Sequence, residues 1–237
     1  QHQQHRDLQR LQPGLAPGIN ALKTFDPPLH ALDSRRVEGV GRRGKMLVVG
    51  FEGGLLLLVH LMSAGRLQLY DKRAGLRDRT SRILIRLGDG RELRLREFGT
   101  KQRAWGKLLT AEGLESDEAP ATPGPEASPD PLPFDELLAA PRPLHTLLRD
   151  QQVIAGIGRS WVDEILWTAR LSPFKRGDDL APEEAEALRA ATVECLGAAI
   201  EHYEGTVTLP IPDKLPMPLQ VHRRQGEPCP RCGDRLE

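Results

Sequence analysis

A proline-rich acidic stretch, residues 113–133, divides this chain into two parts whose hydrophobic residues repeat with different periods. The stretch holds six prolines, and its only large apolar side chains are Leu114 and Leu132. Such a composition reads as a linker. Between about residues 35 and 110, apolar and polar residues alternate in short segments, as in half-buried strands. From residue 134 they recur every three to four positions, as on one face of a helix. Strands gathered ahead of helices predict an α+β chain: an N-terminal antiparallel β-sandwich over 1–112, the linker, a helical domain over 134–224 and a short C-terminal segment over 225–237.

Five β segments can be named: MLVVGF (46–51), LLLLVHLM (55–62), GRLQLY (65–70), SRILIRL (81–87) and RELRLREF (91–98). Gly88-Asp89-Gly90 marks a hairpin turn between the last two. In that hairpin Arg82, Arg86, Arg94 and Arg96 alternate with aliphatics, so one face is expected to be buried and the other positively charged. Ordinary solvated arginines on a sandwich would give the same pattern.

The net charge of zero conceals a strong asymmetry. Residues 1–112 carry 21 basic and 11 acidic side chains, whereas residues 113–140 carry seven acids and no base. A basic first half attracts polyanions, and binding through it should weaken steeply with salt. The longest apolar run, LLLLVHLM, is far too short to span a bilayer, and no membrane partner is expected. Three cysteines do not make a full disulfide framework, which favours a reducing, cytoplasmic setting.

In the helical part, residues 151–166 (QQVIAGIGRSWVDEIL) join two apolar helical runs through Gly156 and Gly158. Glycines there can leave backbone N–H groups exposed at the start of the second helix, beside Arg159. That arrangement suits an anion such as a nucleic-acid phosphate. An ordinary glycine turn between core helices is the plainer alternative. Pro182 and the acids after it open a long helix that Gly205 should stop, with Cys195 as a small core residue inside it. Near the end, Cys229-Pro-Arg-Cys232-Gly has the spacing that brings two thiolates to one tetrahedral zinc. It supplies two of four ligands; His222 is a further candidate.

Five pieces in order carry a resemblance: GRRGK (41–45), HLMSAGRL (60–67), REFG (96–99), QQVIAGIGRSWVDEIL (151–166) and GEPCPRCG (226–233). Together they resemble the formamidopyrimidine-DNA glycosylase and endonuclease VIII family of base-excision repair enzymes, and ALKTFDPPL (21–29) resembles an actinobacterial branch of it. The resemblance implies a β-sandwich, a helix–two-turn–helix domain and a zinc-finger hairpin, of which this chain carries a stub. It implies a monomer acting on double-stranded DNA with oxidised or abasic sites, in the bacterial cytoplasm at the nucleoid. Family members flip the damaged base out of the duplex. An N-terminal proline amine then attacks the sugar C1′, and the resulting Schiff base leads to strand nicking. An α-amine with a pKa near ~8 is far more available at neutral pH than a lysine near ~10.4.

Carried over residue by residue, the resemblance makes Lys45 a catalytic or phosphate-contacting lysine and Met62 the wedge that fills the void left by the extruded base. Arg96, Phe98, Gly158 and Arg159 become DNA contacts, and Cys229 and Cys232 zinc ligands. The chain departs from the family in opening at Gln1 rather than Pro-Glu, in carrying Glu97 where the family has a second arginine, Arg159 where it has asparagine, and His145 where it has a lysine. As written, the polypeptide is therefore expected to be deficient in lyase activity. The alternative to a glycosylase with lyase activity is a module that binds damaged or abasic DNA without cutting it.

Overall fold

The structure is a computed structural model that describes residues 10–75, 77–116 and 123–237. It divides into two compact units, the first formed by the chain up to residue 121 with Thr208–Asp213, the second by Thr122–Val207 with Lys214–Glu237.

The first unit holds two four-stranded antiparallel sheets. Its strands are β1 (Leu11–Leu15), β2 (Val37–Arg43), β3 (Met46–Phe51), β4 (Leu55–His60), β5 (Gly65–Tyr70), β6 (Ser81–Leu87), β7 (Glu92–Glu97) and β8 (Trp105–Thr110), followed by a short helix α1 (Ala111–Ser116). One sheet runs β1-β6-β7-β5 and the other β2-β3-β4-β8. Between them lies a core in which Val49, Phe51, Leu57, Val59 and Leu108 meet Ile83, Ile85 and Leu95. The predicted hairpin joins β6 and β7. Leu87 N–H donates to Arg91 O at 2.9 Å, and Gly90 takes the φ of +93° that the turn requires.

Three strands, β1, β2 and β8, lie outside the five segments that alternation picks out. β2 (VEGVGRR) is an edge strand exposed over nearly all its length, so it has no buried face to produce alternation. β1 contains Pro13 and Gly14, which hide its strand character. β8 (WGKLLT) ends its sheet against β4, with Leu108 fully buried.

The second unit holds α2 (Phe134–Leu137), α3 (Leu144–Arg149), α4 (Arg159–Ala169) and α5 (Pro182–Thr206). Leu144, Leu147, Leu148, Val162, Ile165 and Leu188 share one core with Ile154 and Ile157 from the α3–α4 connection. Pro182 opens α5, and Glu184 reaches back to the Ala181 N–H at 2.9 Å while Lys175 pairs with it at 2.7 Å. Part of the stretch read as a linker is packed into this unit. Ala127 is buried, its N–H bonds Ala155 O at 2.9 Å, and Gly124 N–H bonds Gln151 O at 2.9 Å. Cys195 is half-buried against the core beside Thr168. No helix among the described residues is long and apolar enough to cross a membrane.

Candidate nucleic-acid interface

The connection between α3 and α4 is held from inside. Asp150 accepts the Gln152 N–H at 3.0 Å, which with the bond from Arg142 outweighs desolvation and keeps its carboxyl below the usual range. The Gln151 side chain accepts the Gly156 N–H at 3.0 Å and donates to Ile157 O at 3.1 Å, bracing the second turn. Ile154, Ala155 and Ile157 are fully buried, so the bend is anchored as a plug in the core.

The two glycines of the motif do different things. Gly156 has φ +100°, a conformation that excludes most side chains. Gly158 has φ −84° and caps α4 in extended conformation, open to any residue; a Cβ would only brush Trp161 at 3.6 Å. No side chain caps the helix, and its ladder begins with Trp161 N–H to Gly158 O at 2.9 Å. The preceding amides therefore lie ahead of the intrahelical bonds. Arg159, exposed, is the first residue of α4. A cation at the positive end of a helix dipole is mildly unfavourable, by about 0.3–1 kcal/mol, unless an anion joins it.

In the first unit, strand register gathers the other sequence-chosen residues at one end. Arg43 and Met46 are paired, which makes Gly44-Lys45 a two-residue turn with Gly44 at φ +57° and Lys45 exposed. Met46 pairs with His60, where β4 ends and the Met62 turn begins. Gly65, which opens β5, pairs with Glu97, one residue before Phe98. Met62 is a non-glycine residue at φ +53° and is 43 % exposed. The Gly65 N–H closes this turn on Leu61 O at 2.8 Å, and a Cβ at Gly65 would lie 2.4 Å from that oxygen.

The expected cationic face of the β6–β7 hairpin is largely turned inward. Arg82 is buried, donating twice to Ala104 O at 3.1 Å and lying 3.9 Å from Glu97. Arg94 is buried too, 2.8 Å from Glu92 with its guanidinium over the Tyr70 ring at 4.2 Å. Arg86 shares the same glutamate at 3.5 Å. Glu92 and Glu97, both buried, are the counterions, so burial is compatible with the charge. Glu97 also accepts the Ala104 N–H at 2.6 Å. Its carboxylate is engaged inside the first unit.

Of the four arginines, Arg96 differs. Its Nε donates to Thr80 Oγ1 at 3.1 Å, its Nη1 to the Tyr70 hydroxyl at 2.8 Å, and its guanidinium lies 4.5 Å over Phe98. Arg66, unnoticed in the sequence, is its direct cross-strand neighbour. Two arginines opposite one another are unfavourable without an anion. The signal was present in GRLQLY, but only the register reveals it.

At the C-terminal end, Glu164 is buried on α4 and accepts the N–H groups of Gln220, Val221 and His222 at 2.8–2.9 Å. Asp163 faces His222 at 2.6 Å and His145 at 3.4 Å, so His222 is engaged with a carboxylate rather than with the cysteines. A short hairpin follows, with Gly226 N–H on Leu236 O and Cys229 N–H on Asp234 O. The Cys229 thiol is pulled down to about 7 by the backbone N–H groups of Cys232 and Arg231 and by the Trp167 indole, 3.4 Å away. Cys232 has its thiolate favoured by a backbone N–H near Asp234, yet is pushed up by Cys229 and the Asp234 carboxylate. A thiolate ringed by N–H donors suits a metal ligand. Among the described residues, however, no three His, Cys, Asp or Glu side chains are placed to hold an ion, so two thiols alone do not complete a zinc site.

Residues 16–103 match the formamidopyrimidine-DNA glycosylase N-terminal domain, and residues 124–210 match the H2TH domain of the same glycosylases. The chain is 33% identical over 235 residues to formamidopyrimidine-DNA glycosylase of Moorella thermoacetica, covering 93% of this chain and 83% of the relative. It is 35% identical over 218 residues to that of Thermus thermophilus, covering 86% and 78%. In fold it is similar to Lactococcus lactis Fpg in complex with DNA containing an abasic site (TM-score 0.81, 22% identity, 97% of this chain and 86% of that one). It is similar also to the same protein with DNA containing FAPY-dG (TM-score 0.80, 23% identity, 98% and 88%).

Proposed function

The chain belongs to the formamidopyrimidine-DNA glycosylase family, and from that premise we propose how its residues divide the work on DNA. It is a base-excision-repair DNA glycosylase whose partner is damaged duplex DNA. The observation that carries the reading is the braced α3–α4 bend: an uncapped helix start with Arg159 beside it, held by Gln151 and a buried Ile157.

Gly158 leaves the amides at the start of α4 open to a phosphate, and Arg159 adds a charged donor. In the first unit Met62 is the wedge. Its exposed side chain stands on a turn closed by Gly65, suited to enter the space a flipped base vacates. Arg96 and Phe98, stacked on one another, form a second element aimed at the duplex. Lys45, on the tight β2–β3 turn, is a phosphate contact or an acid–base group at the sugar.

The lyase step is proposed from the resemblance. It needs an amine that attacks C1′ as the base leaves, and residues 1–9 lie outside the described residues. Zinc held by Cys229 and Cys232, as two of four ligands, is likewise a proposal; when bound it would fasten the C-terminal hairpin. A cytoplasmic, nucleoid-associated setting accords with this function.

The test is single-turnover release of a formamidopyrimidine base from a lesion-bearing duplex, run beside borohydride trapping. Base release with a covalent adduct supports glycosylase and lyase together. Release without an adduct leaves the glycosylase alone, and tight damage-selective binding with no release would overturn the enzymatic reading in favour of a binding module.

A further inference from the structure

Arg96 is held by a chain of bonds that starts on the loop before β6. Asp78 Oδ1 accepts both the backbone N–H of Thr80 at 2.8 Å and its hydroxyl at 2.6 Å, while Asp78 Oδ2 accepts the Ser81 hydroxyl at 2.7 Å. A hydroxyl has one proton. Since Thr80 gives it to Asp78, the Thr80 oxygen faces Arg96 Nε as an acceptor, and the direction of the chain is fixed. On the far side Arg96 Nη1 donates to the Tyr70 hydroxyl, and the Tyr70 ring is itself covered by the Arg94 guanidinium at 4.2 Å. Arg94 is in turn neutralised by Glu92. The guanidinium of Arg96 is thus fixed at two nitrogens, with Phe98 against its plane.

Partial burial raises the Asp78 pKa, but the bonds from Thr80 and Ser81 and the charge of Arg96 win, and the carboxyl lies below its usual range. It stays an acceptor throughout the neutral range.

We propose that Asp78, acting through Thr80, is a positioning residue that fixes the plane of Arg96 and the Phe98 ring on it, and so sets how the protein discriminates the base opposite a vacated position. This rests on reading Arg96 and Phe98 as duplex contacts. Two features favour a purpose beyond packing. The chain ends on a partly exposed stacked pair rather than in the core, and Arg96 alone of the hairpin arginines lacks a carboxylate within salt-bridge distance among the described residues.

The experiment measures affinity, so it does not depend on turnover. Duplexes carrying a tetrahydrofuran abasic analogue opposite each of the four bases are titrated by fluorescence anisotropy into the wild-type chain and into Thr80→Val, Thr80→Ser, Asp78→Asn and Arg96→Ala. The wild type is expected to show a spread of dissociation constants across the four bases, which Arg96→Ala collapses. Thr80→Val and Asp78→Asn are expected to narrow it by about threefold to tenfold, the scale of one ordinary hydrogen bond. Thr80→Ser, which keeps the hydroxyl, is expected to retain it. Should Arg96→Ala collapse the spread while Thr80→Val and Asp78→Asn leave it intact, the positioning role is wrong and the duplex contact stands. Should the wild type show no spread, or Arg96→Ala leave it unchanged, the contact reading fails and the proposal with it. Thermal melts accompany each variant. If Asp78→Asn does not fold, the nearly isosteric Thr80→Val, against Thr80→Ser, decides.

Discussion

The backbone N–H of Met62 donates to Nδ1 of His60 at 2.9 Å, and the His60 ring is stacked on Trp105 with centroids 5.6 Å apart. The bond requires an unprotonated Nδ1, so a left-handed turn that carries an exposed methionine leans on a neutral imidazole. Stacking on β8 keeps that imidazole from turning away.

Met62→Gly separates stability from binding. A non-glycine residue in the left-handed region costs about 1–2 kcal/mol, and glycine adopts it freely. The variant should melt no lower than wild type, yet bind an abasic duplex about tenfold more weakly, because the wedge is gone. A parallel fall in melting temperature and affinity would show that Met62 acts in the fold instead.

Acid should weaken the protein through His60. Burial, and then the positive charge of Lys45, disfavour the imidazolium and hold the folded pKa below the ordinary 6.5. On acidification the unfolded chain takes up this proton first. The stability His60 contributes is therefore whole above about pH 6.5 and is lost as pH falls toward the folded value. His60→Gln keeps an acceptor for Met62 without titrating, so its melting temperature should fall less between pH 7 and pH 5 than that of wild type.

Glu164 is expected to matter more than an ordinary helix glutamate. Glu164→Ala would leave the amides of Gln220, Val221 and His222 without their acceptor, at a cost of about 2–4 kcal/mol. Hydrogen exchange at those three amides should accelerate well before the core of the unit, with Leu147 and Leu148, is affected.

The three thiols should react in a fixed order. Cys229, with a pKa of about 7, is expected to alkylate fastest near neutral pH, ahead of Cys232 and of Cys195, whose thiol burial pushes up. Mass mapping after brief iodoacetamide treatment of metal-free protein reads the order. If zinc joins the two hairpin sulfurs, adding it should slow Cys229 and Cys232 together and leave Cys195 unchanged.

How much of this was legible in the chain depended on whether a residue's partner lay nearby in sequence. The Gly88-Asp89-Gly90 turn and the Pro182 helix start were readable because their determinants are local. Arg82, Arg94 and Arg96 looked alike, since alternation assigns a face but not a counterion. Only the fold separates the two arginines paired with buried Glu97 and Glu92 from the one handed to Thr80 and Tyr70. Gly156 and Gly158 looked interchangeable, and φ tells them apart. Asp78 and Thr80 gave no signal because short polar residues in a loop are expected whatever they do.

The segment Thr208–Asp213 lies on the outermost strand of its sheet: Ile211 N–H reaches the Gln68 side chain at 2.6 Å, and Asp213 O accepts from Arg66. The sandwich is therefore finished by a piece of chain that arrives only after the whole helical region has been synthesised. Until that segment comes round, the β5 side chains that receive it, Gln68 and Arg66, lack those partners. Cutting this protein at residue 121 would therefore leave the first unit without 208–213, and a cleaner dissection would stitch that segment back on.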